Sequence, residues 1–140
     1  MAVLSRMPNF GISSLVQIKL QRLAGGDVIV FPGFGERMSS SDAEVLANVD
    51  ACLKPWGKLK PALPVPGGSD WAGTLPHYFE KIGHTDFGFI AGRGVFGHPA
   101  GPAAGARSLH QAWEAISQKI SLRDYAKNHR ELDQALSAFS

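Results

Sequence analysis

The chain has a single cysteine, Cys52, among its 140 residues. One thiol excludes an internal disulfide and is typical of a protein from a reducing compartment, so we expect a cytoplasmic location. Two interpretations of Cys52 are open, a buried small side chain or a reactive thiol. Its place on an apolar helical face with Val45 and Val49 favours burial.

Long apolar runs are also lacking. The longest runs, such as residues 28–31, have the length of a strand, whereas a membrane-spanning helix needs about 20 apolar residues. The first ten residues show no apolar core behind a basic segment. We therefore expect neither a membrane span nor a secretory signal.

Clustered charge is the third absence. The net charge is only +2, and the lysines and arginines are scattered. Nucleic-acid-binding proteins usually concentrate basic residues on one surface, so this class gains no support. The composition, 44% hydrophobic and 19% charged, is that of an ordinary globular domain, which we expect to span residues 1–140.

Helical and strand patterns alternate along the chain. They predict strands at residues 27–31, 62–65 and 87–91. They also predict helices at residues 15–23, at residues 41–55 between a capping box and Pro55, and at about residues 75–82. Further helices are predicted around Trp113 and from Ser121 onward. The first strand is continuously apolar, which predicts cover on both faces. Pro64 restricts the second to an edge or a strand end. This order is typical of parallel β/α units.

Each predicted strand is followed by glycine. Ligands of β/α folds bind at the carboxyl ends of strands, where a backbone without Cβ atoms can approach an anion. Gly67, Gly68, Gly92 and Gly94 are therefore candidate phosphate-binding residues, with tight turns as the alternative. Arg93 either contacts the same anion, pairs with a carboxylate or points to solvent.

Other polar residues lie near the same strand ends. Gly33, Glu36, Arg37 and Asp70 are candidate substrate contacts, and ordinary surface residues are the alternative. His98 is either hydrogen-bonded inside its loop or catalytic. The remaining histidines show no metal-ligand spacing and are interpreted as solvated or structural: His77, His84, His110 and His129.

Three stretches carry a family resemblance: KLQRLAGGDVIVFPGFG, LPVPGGSDWAGTLPHYFEKIG and FGFIAGRGVFGHPAGPAAGARSLHQAW. Together they resemble the RuBisCO large-chain family, and more closely its RuBisCO-like branch, form IV. The resemblance implies strands six to eight of a (β/α)8 TIM barrel with their helices and a C-terminal helix. It also implies that the glycine pair Gly67 and Gly68 and the run Gly92, Arg93 and Gly94 hold a substrate phosphate.

The chain departs from the carboxylating members at four places. Pro66 stands where they have a serine, Phe31 where they have a histidine, and Met38 lies near the place of their mobile lysine, while Arg93 replaces a glycine. These differences argue against CO2 fixation on ribulose bisphosphate.

The family's metal-binding segment, with its lysine, aspartate and glutamate, does not occur in the chain. The resemblance therefore implies that a complete protein uses Mg²⁺ held elsewhere to enolise a phosphorylated sugar or sugar acid, as an isomerase, tautomerase or decarboxylase. By itself this chain is expected to be inactive, and its catalytic residues stay unassigned.

The exposed edges of a three-stranded parallel sheet need a partner. The N-terminal part of a barrel or a second copy of the chain would supply one, and we expect a homo-oligomer. The alternative function is a non-catalytic half-barrel that acts in assembly or anion binding.

Overall fold

The computed structural model describes Met7, residues 10–35, Met38 and residues 40–139. The chain forms two compact units. The first contains Met1–Gly68 and Ile82–Ile90, and the second contains Ser69–Lys81 and Ala91–Ser140.

The first unit is a β/α arrangement. It contains helix α1 at Ser14–Leu23, strand β1 at Val28–Pro32, helix α2 at Asp42–Leu53 and strand β2 at Leu63–Gly67. The two strands are parallel, with Val28 opposite Leu63 and Pro32 opposite Gly67. Helix α2 packs on both strands and α1 packs on α2. The predicted parallel unit is confirmed for this part of the chain.

Both helix starts follow from serine caps. Ser13 Oγ accepts the N–H of Val16 at 3.3 Å, and Ser41 Oγ accepts the N–H of Glu44 at 3.2 Å. Each bond satisfies a backbone donor that has no partner inside its helix. The predicted starts of α1 and α2 are therefore confirmed.

The prediction that β1 is covered on both faces is wrong for the described chain. Ile29 and Phe31 are buried, whereas Val28 and Val30 are 57% and 51% exposed. Alternate residues of a strand point to opposite faces, and the helices of this unit cover the face of Ile29 and Phe31.

The third predicted strand, at residues 87–91, is also wrong. The sheet of the described residues has two strands, and only one backbone bond joins the segment to β2, from Gly88 N–H to Pro64 O at 2.9 Å. In β2 the backbone N–H of Leu63 points towards β1. The backbone polar groups of successive residues in a strand point to opposite edges, so those of Pro64 and Pro66 point away from β1. Neither proline has an N–H, so two donors of a third ladder are missing.

The second unit is helical. It contains a short 3₁₀ turn at Ala72–Thr74, the start of helix α3 at Leu75–Ile82, and helices α4 at Gly92–Phe96, α5 at Pro102–Ser117, α6 at Leu122–Ala126 and α7 at Arg130–Phe139. Helix α5 packs against α4, α6 and α7. The glycine-rich junction thus contains a short helix that the sequence pattern did not predict.

The predicted single helix from Ser121 onward is two helices, α6 and α7. Ser121 Oγ caps α6 as predicted, by accepting the N–H of Asp124 at 3.1 Å. After α6 the N–H groups of residues 127–129 bond to carbonyls three residues earlier. This tighter 3₁₀ pattern ends α6 before α7 begins.

Cys52 is fully buried in α2. Burial raises the pKa of its thiol to about 11, and the nearby positive charge of Arg22 lowers the pKa by less. The thiol is therefore protonated at neutral pH, and the predicted burial is confirmed.

Candidate functional site

The loops that follow β1 and β2 meet in the first unit. The N–H of Gly33, just after β1, donates to the carbonyl oxygen of Gly67 at 3.1 Å. A Cβ atom added to Gly68 would collide with the side chain of Met38. Three sequence-predicted positions, Gly33, Gly67 and Gly68, therefore lie at one edge of the sheet, and Met38 lies against this loop.

Gly92, Arg93 and Gly94 form the first turn of α4 in the second unit. The N–H of Gly94 donates to the carbonyl oxygen of Asp70 at 3.0 Å. Within the described residues the N–H groups of Gly92 and Arg93 have no acceptor. Two backbone donors of the predicted loop are therefore available to a ligand.

The two glycines of this turn have different surroundings. A Cβ atom at Gly94 would lie 2.6 Å from the Cα of Trp71, which is closer than two non-bonded carbon atoms approach in proteins. A Cβ atom at Gly92 would meet nothing within 4 Å. Packing therefore requires glycine at Gly94, whereas no atom of the described residues restricts the side chain at position 92.

The Arg93 side chain is exposed and lies on an aromatic ring. Its Cζ atom is 5.0 Å from the centroid of the Phe139 ring, a cation–π contact. In the part of the chain that the structure describes, Arg93 pairs with no carboxylate. The sequence left three interpretations of Arg93 open. Pairing with a carboxylate is the one that is not observed among the described residues.

Asp70 is buried, and its carboxylate is engaged inside the second unit. The Tyr78 hydroxyl donates to Oδ2 at 3.2 Å, and the Thr74 hydroxyl lies 3.3 Å from Oδ1. With the backbone bond from Gly94, Asp70 joins the 3₁₀ turn to α4. Its role as a substrate contact stays a prediction, as do Glu36 and Arg37, which lie outside the described residues.

His98 is buried and fully hydrogen-bonded. Nδ1 accepts the N–H of Ala100 at 3.1 Å, so Nε2 carries the proton and donates to the Glu131 carbonyl oxygen at 2.9 Å. The structural interpretation of His98 is confirmed. Among the described residues no three His, Cys, Asp or Glu side chains are grouped to hold a metal ion.

Comparison with known proteins identifies the family to which the chain belongs. Residues 1–139 match the family model described as ribulose bisphosphate carboxylase large chain, catalytic domain. The chain belongs to the RuBisCO large-chain family. Its glycine loops are therefore those of a RuBisCO-type chain, and the resemblance seen in the sequence is confirmed.

Two curated relatives show where the chain stands in the RuBisCO family. It is 59% identical over 138 residues to a ribulose bisphosphate carboxylase-like protein of Allochromatium vinosum, covering 99% of this chain and 30% of that protein. It is 35% identical over 140 residues to the 3-oxo-isoapionate-4-phosphate decarboxylase of Rhizobium rhizogenes, covering 99% of this chain and 33% of the relative. The chain thus spans about a third of these proteins.

A solved structure confirms the fold class. The rubisco-like protein of Burkholderia fungorum matches with a TM-score of 0.85 and 36% identity, over 99% of this chain and 35% of that one. The C-terminal portion of a (β/α)8 barrel is therefore the fold class, although the described residues form two of its three predicted strands. No helix of the described residues is long and apolar enough to cross a membrane.

Trp71 and Phe139 were not predicted as site residues. Phe139 lies in the last turn of α7, and its ring centroid is 5.5 Å from that of Trp71. Both are far from Arg93 in the sequence. An aromatic residue at the end of an amphipathic helix predicts only core packing, so no sequence signal distinguished them.

Proposed function

We propose that the full-length protein enolises a phosphorylated sugar or sugar acid and that this chain supplies backbone loops for the substrate's phosphate. The reaction would end in isomerisation, tautomerisation or decarboxylation. Similarity to a decarboxylase that is named for a phosphorylated substrate supports the substrate class. By the family resemblance, Phe31 and Pro66 stand where carboxylating members have a histidine and a serine, and Met38 lies near the place of their mobile lysine. These differences argue against CO2 fixation.

The free donors of the α4 turn carry the phosphate assignment. The N–H groups of Gly92 and Arg93 and the Arg93 guanidinium have no acceptor within the described residues. A phosphate has several oxygen atoms that accept hydrogen bonds, and the guanidinium of arginine can donate to two of them at once. No atom of the described residues packs against the Cβ position of Gly92, so an anion can approach its backbone closely.

Gly67, Gly68 and Gly94 belong to the same proposal through the family resemblance. The Gly67 carbonyl and the Gly94 N–H are already bonded within their units. Gly94 is expected to shape the α4 turn, and Gly67 and Gly68 to present the loop after β2, as the family resemblance implies. Gly33 is bonded to Gly67 and is expected to support that loop.

Magnesium is proposed only for the full-length protein. The described residues contain no cluster of His, Cys, Asp or Glu that would hold it. Its ligands would come from residues outside this chain, and the part assigned to this chain is therefore phosphate binding. A homo-oligomer is likewise a proposal for the full-length protein.

A hydrogen-exchange experiment tests the reaction class. Enolisation removes a proton from the carbon next to a carbonyl group, and a general base exchanges that proton with solvent. We expect the full-length protein in D2O to place deuterium at this carbon of a phosphorylated keto sugar. With 3-oxo-isoapionate-4-phosphate the enolate would form by loss of CO2, and we expect deuterium at the carbon that loses it. Mass spectrometry detects both products. Ribulose bisphosphate with labelled CO2 should yield no carboxylated product. Carboxylation would contradict the proposal, as would the absence of both deuterium exchange and decarboxylation with every phosphorylated substrate tested.

Substitution of Gly92 tests the phosphate loop. We expect Gly92→Val in the full-length protein to raise the Kd for inorganic phosphate by about tenfold or more, because a β-branched side chain would block close approach to the backbone donors. Isothermal titration calorimetry measures the change. Ala103→Val, which adds the same side chain at an exposed position of α5, is the matched control. Equal phosphate affinities in both variants would show that this turn is not part of the phosphate site.

A further inference from the structure

The ring of Phe139 joins the last helix to the turn that carries Arg93. The Arg93 Cζ atom lies 5.0 Å from the centre of the ring, and Trp71 lies beside the ring with 5.5 Å between centroids and a 47° tilt. A Cβ atom at Gly97 would be 3.6 Å from the ring, so the ring also rests against the end of α4. Phe139 is thereby held from several sides.

Among the described residues Arg93 has no other partner that would fix its side chain. It is exposed, and no carboxylate of the described residues pairs with it. A free arginine side chain populates many rotamers, and ordering them on binding opposes affinity. The cation–π contact with Phe139 restricts the guanidinium before any ligand arrives.

We propose that Phe139 is a positioning residue that holds the Arg93 guanidinium ready to bind an oxygen of the substrate's phosphate. A guanidinium that lies on an aromatic face keeps the N–H groups at its edge available for an oxyanion. The same turn presents the N–H groups of Gly92 and Arg93, which have no acceptor in the part of the chain that the structure describes. The proposal rests on the phosphate-binding role of this turn in the proposed function.

The first test compares Phe139 variants in the full-length protein, with inorganic phosphate as the probe in calorimetry. Phe139→Leu keeps an apolar side chain and removes the aromatic face, so we expect the Kd to rise about two- to fivefold. Phe139→Tyr keeps the face and should bind as the parent does. Phe96→Leu, which removes an exposed aromatic ring from α4, is the control and should leave the Kd unchanged.

The second test separates positioning from general packing. In an Arg93→Met background, Phe139→Leu should cause no further loss of phosphate affinity, because the group that it positions is gone. Equal losses with and without Arg93 would overturn the proposal and show that Phe139 acts through packing alone. Should Phe139→Leu fail to fold, Phe139→Met offers a similar volume without the aromatic face.

The outcomes also distinguish this proposal from the proposed function. If Gly92→Val and Arg93→Met weaken phosphate binding while Phe139→Leu does not, only the positioning role fails. If all three variants bind phosphate as the parent does, the turn is not the phosphate site and both proposals fail.

Discussion

Replacement of Arg22 by methionine is expected to lower the free energy of unfolding by about 3 kcal/mol, because backbone acceptors would lose their donor inside the protein. Arg22 is buried on α1. Its Nη1 atom donates to the carbonyl oxygens of Ala51 at 2.6 Å and Lys54 at 2.9 Å, and Nη2 donates to that of Lys60 at 3.0 Å. The first two belong to the end of α2, where a positive charge also offsets the helix dipole.

The Arg22 prediction is checked by urea unfolding of the full-length protein. Arg107→Met is the control, because Arg107 forms an exposed ion pair with Glu131 at 3.2 Å. Exposed pairs of this kind contribute only about 0–1 kcal/mol, so the control should unfold close to the parent. Similar transitions for both variants would show that the carbonyl groups near Arg22 find other partners.

Gly94→Ala is expected to destabilise the fold by about 2 kcal/mol or more, because the added methyl group has no room. Its carbon would lie 2.6 Å from Trp71 Cα and 2.8 Å from Trp71 Cβ, and the backbone at Trp71 cannot rotate away. The shift would also strain the bond from Gly94 N–H to Asp70 O. Thermal unfolding of the full-length protein measures the loss.

Gly92→Ala is the matched control for Gly94→Ala. The same methyl group meets nothing within 4 Å at Gly92, two residues away in the same helix. Alanine is a better helix former than glycine by about 1 kcal/mol, so Gly92→Ala should be neutral or slightly stabilising. Comparable destabilisation in both variants would show that helix α4 does not pack against Trp71 as described.

The family was accessible from the sequence, and so was the proposal of phosphate-binding loops, through motifs that lie close together in the chain. The glycine run at Gly92 and Gly94 predicted a ligand site, and its place at the start of a helix is observed. The sequence does not distinguish the two glycines, because the atoms that require Gly94 belong to Trp71. Glycine spacing predicts turns, whereas contacts between distant segments decide which glycine is structural.

For the segment at residues 87–91 the prediction from the sequence was wrong. Its apolar run predicted a strand, but strand pairing depends on donors supplied by a neighbour. Pro64 and Pro66 occupy the side of β2 that faces this segment, and the observed pairing is one bond to Gly88. The prolines were visible in the sequence, yet the side on which they lie follows only from the register with β1.

The sequence by itself determined the helix starts at Ser13, Ser41 and Ser121, the parallel β/α unit and the burial of Cys52, because capping bonds and hydrophobic periodicity act over a few residues. Tertiary structure alone decided that Arg22 is buried against α2 and that Phe139 lies under Arg93. Both contacts join residues far apart in the chain, and their geometry depends on how whole helices pack, which no local pattern encodes.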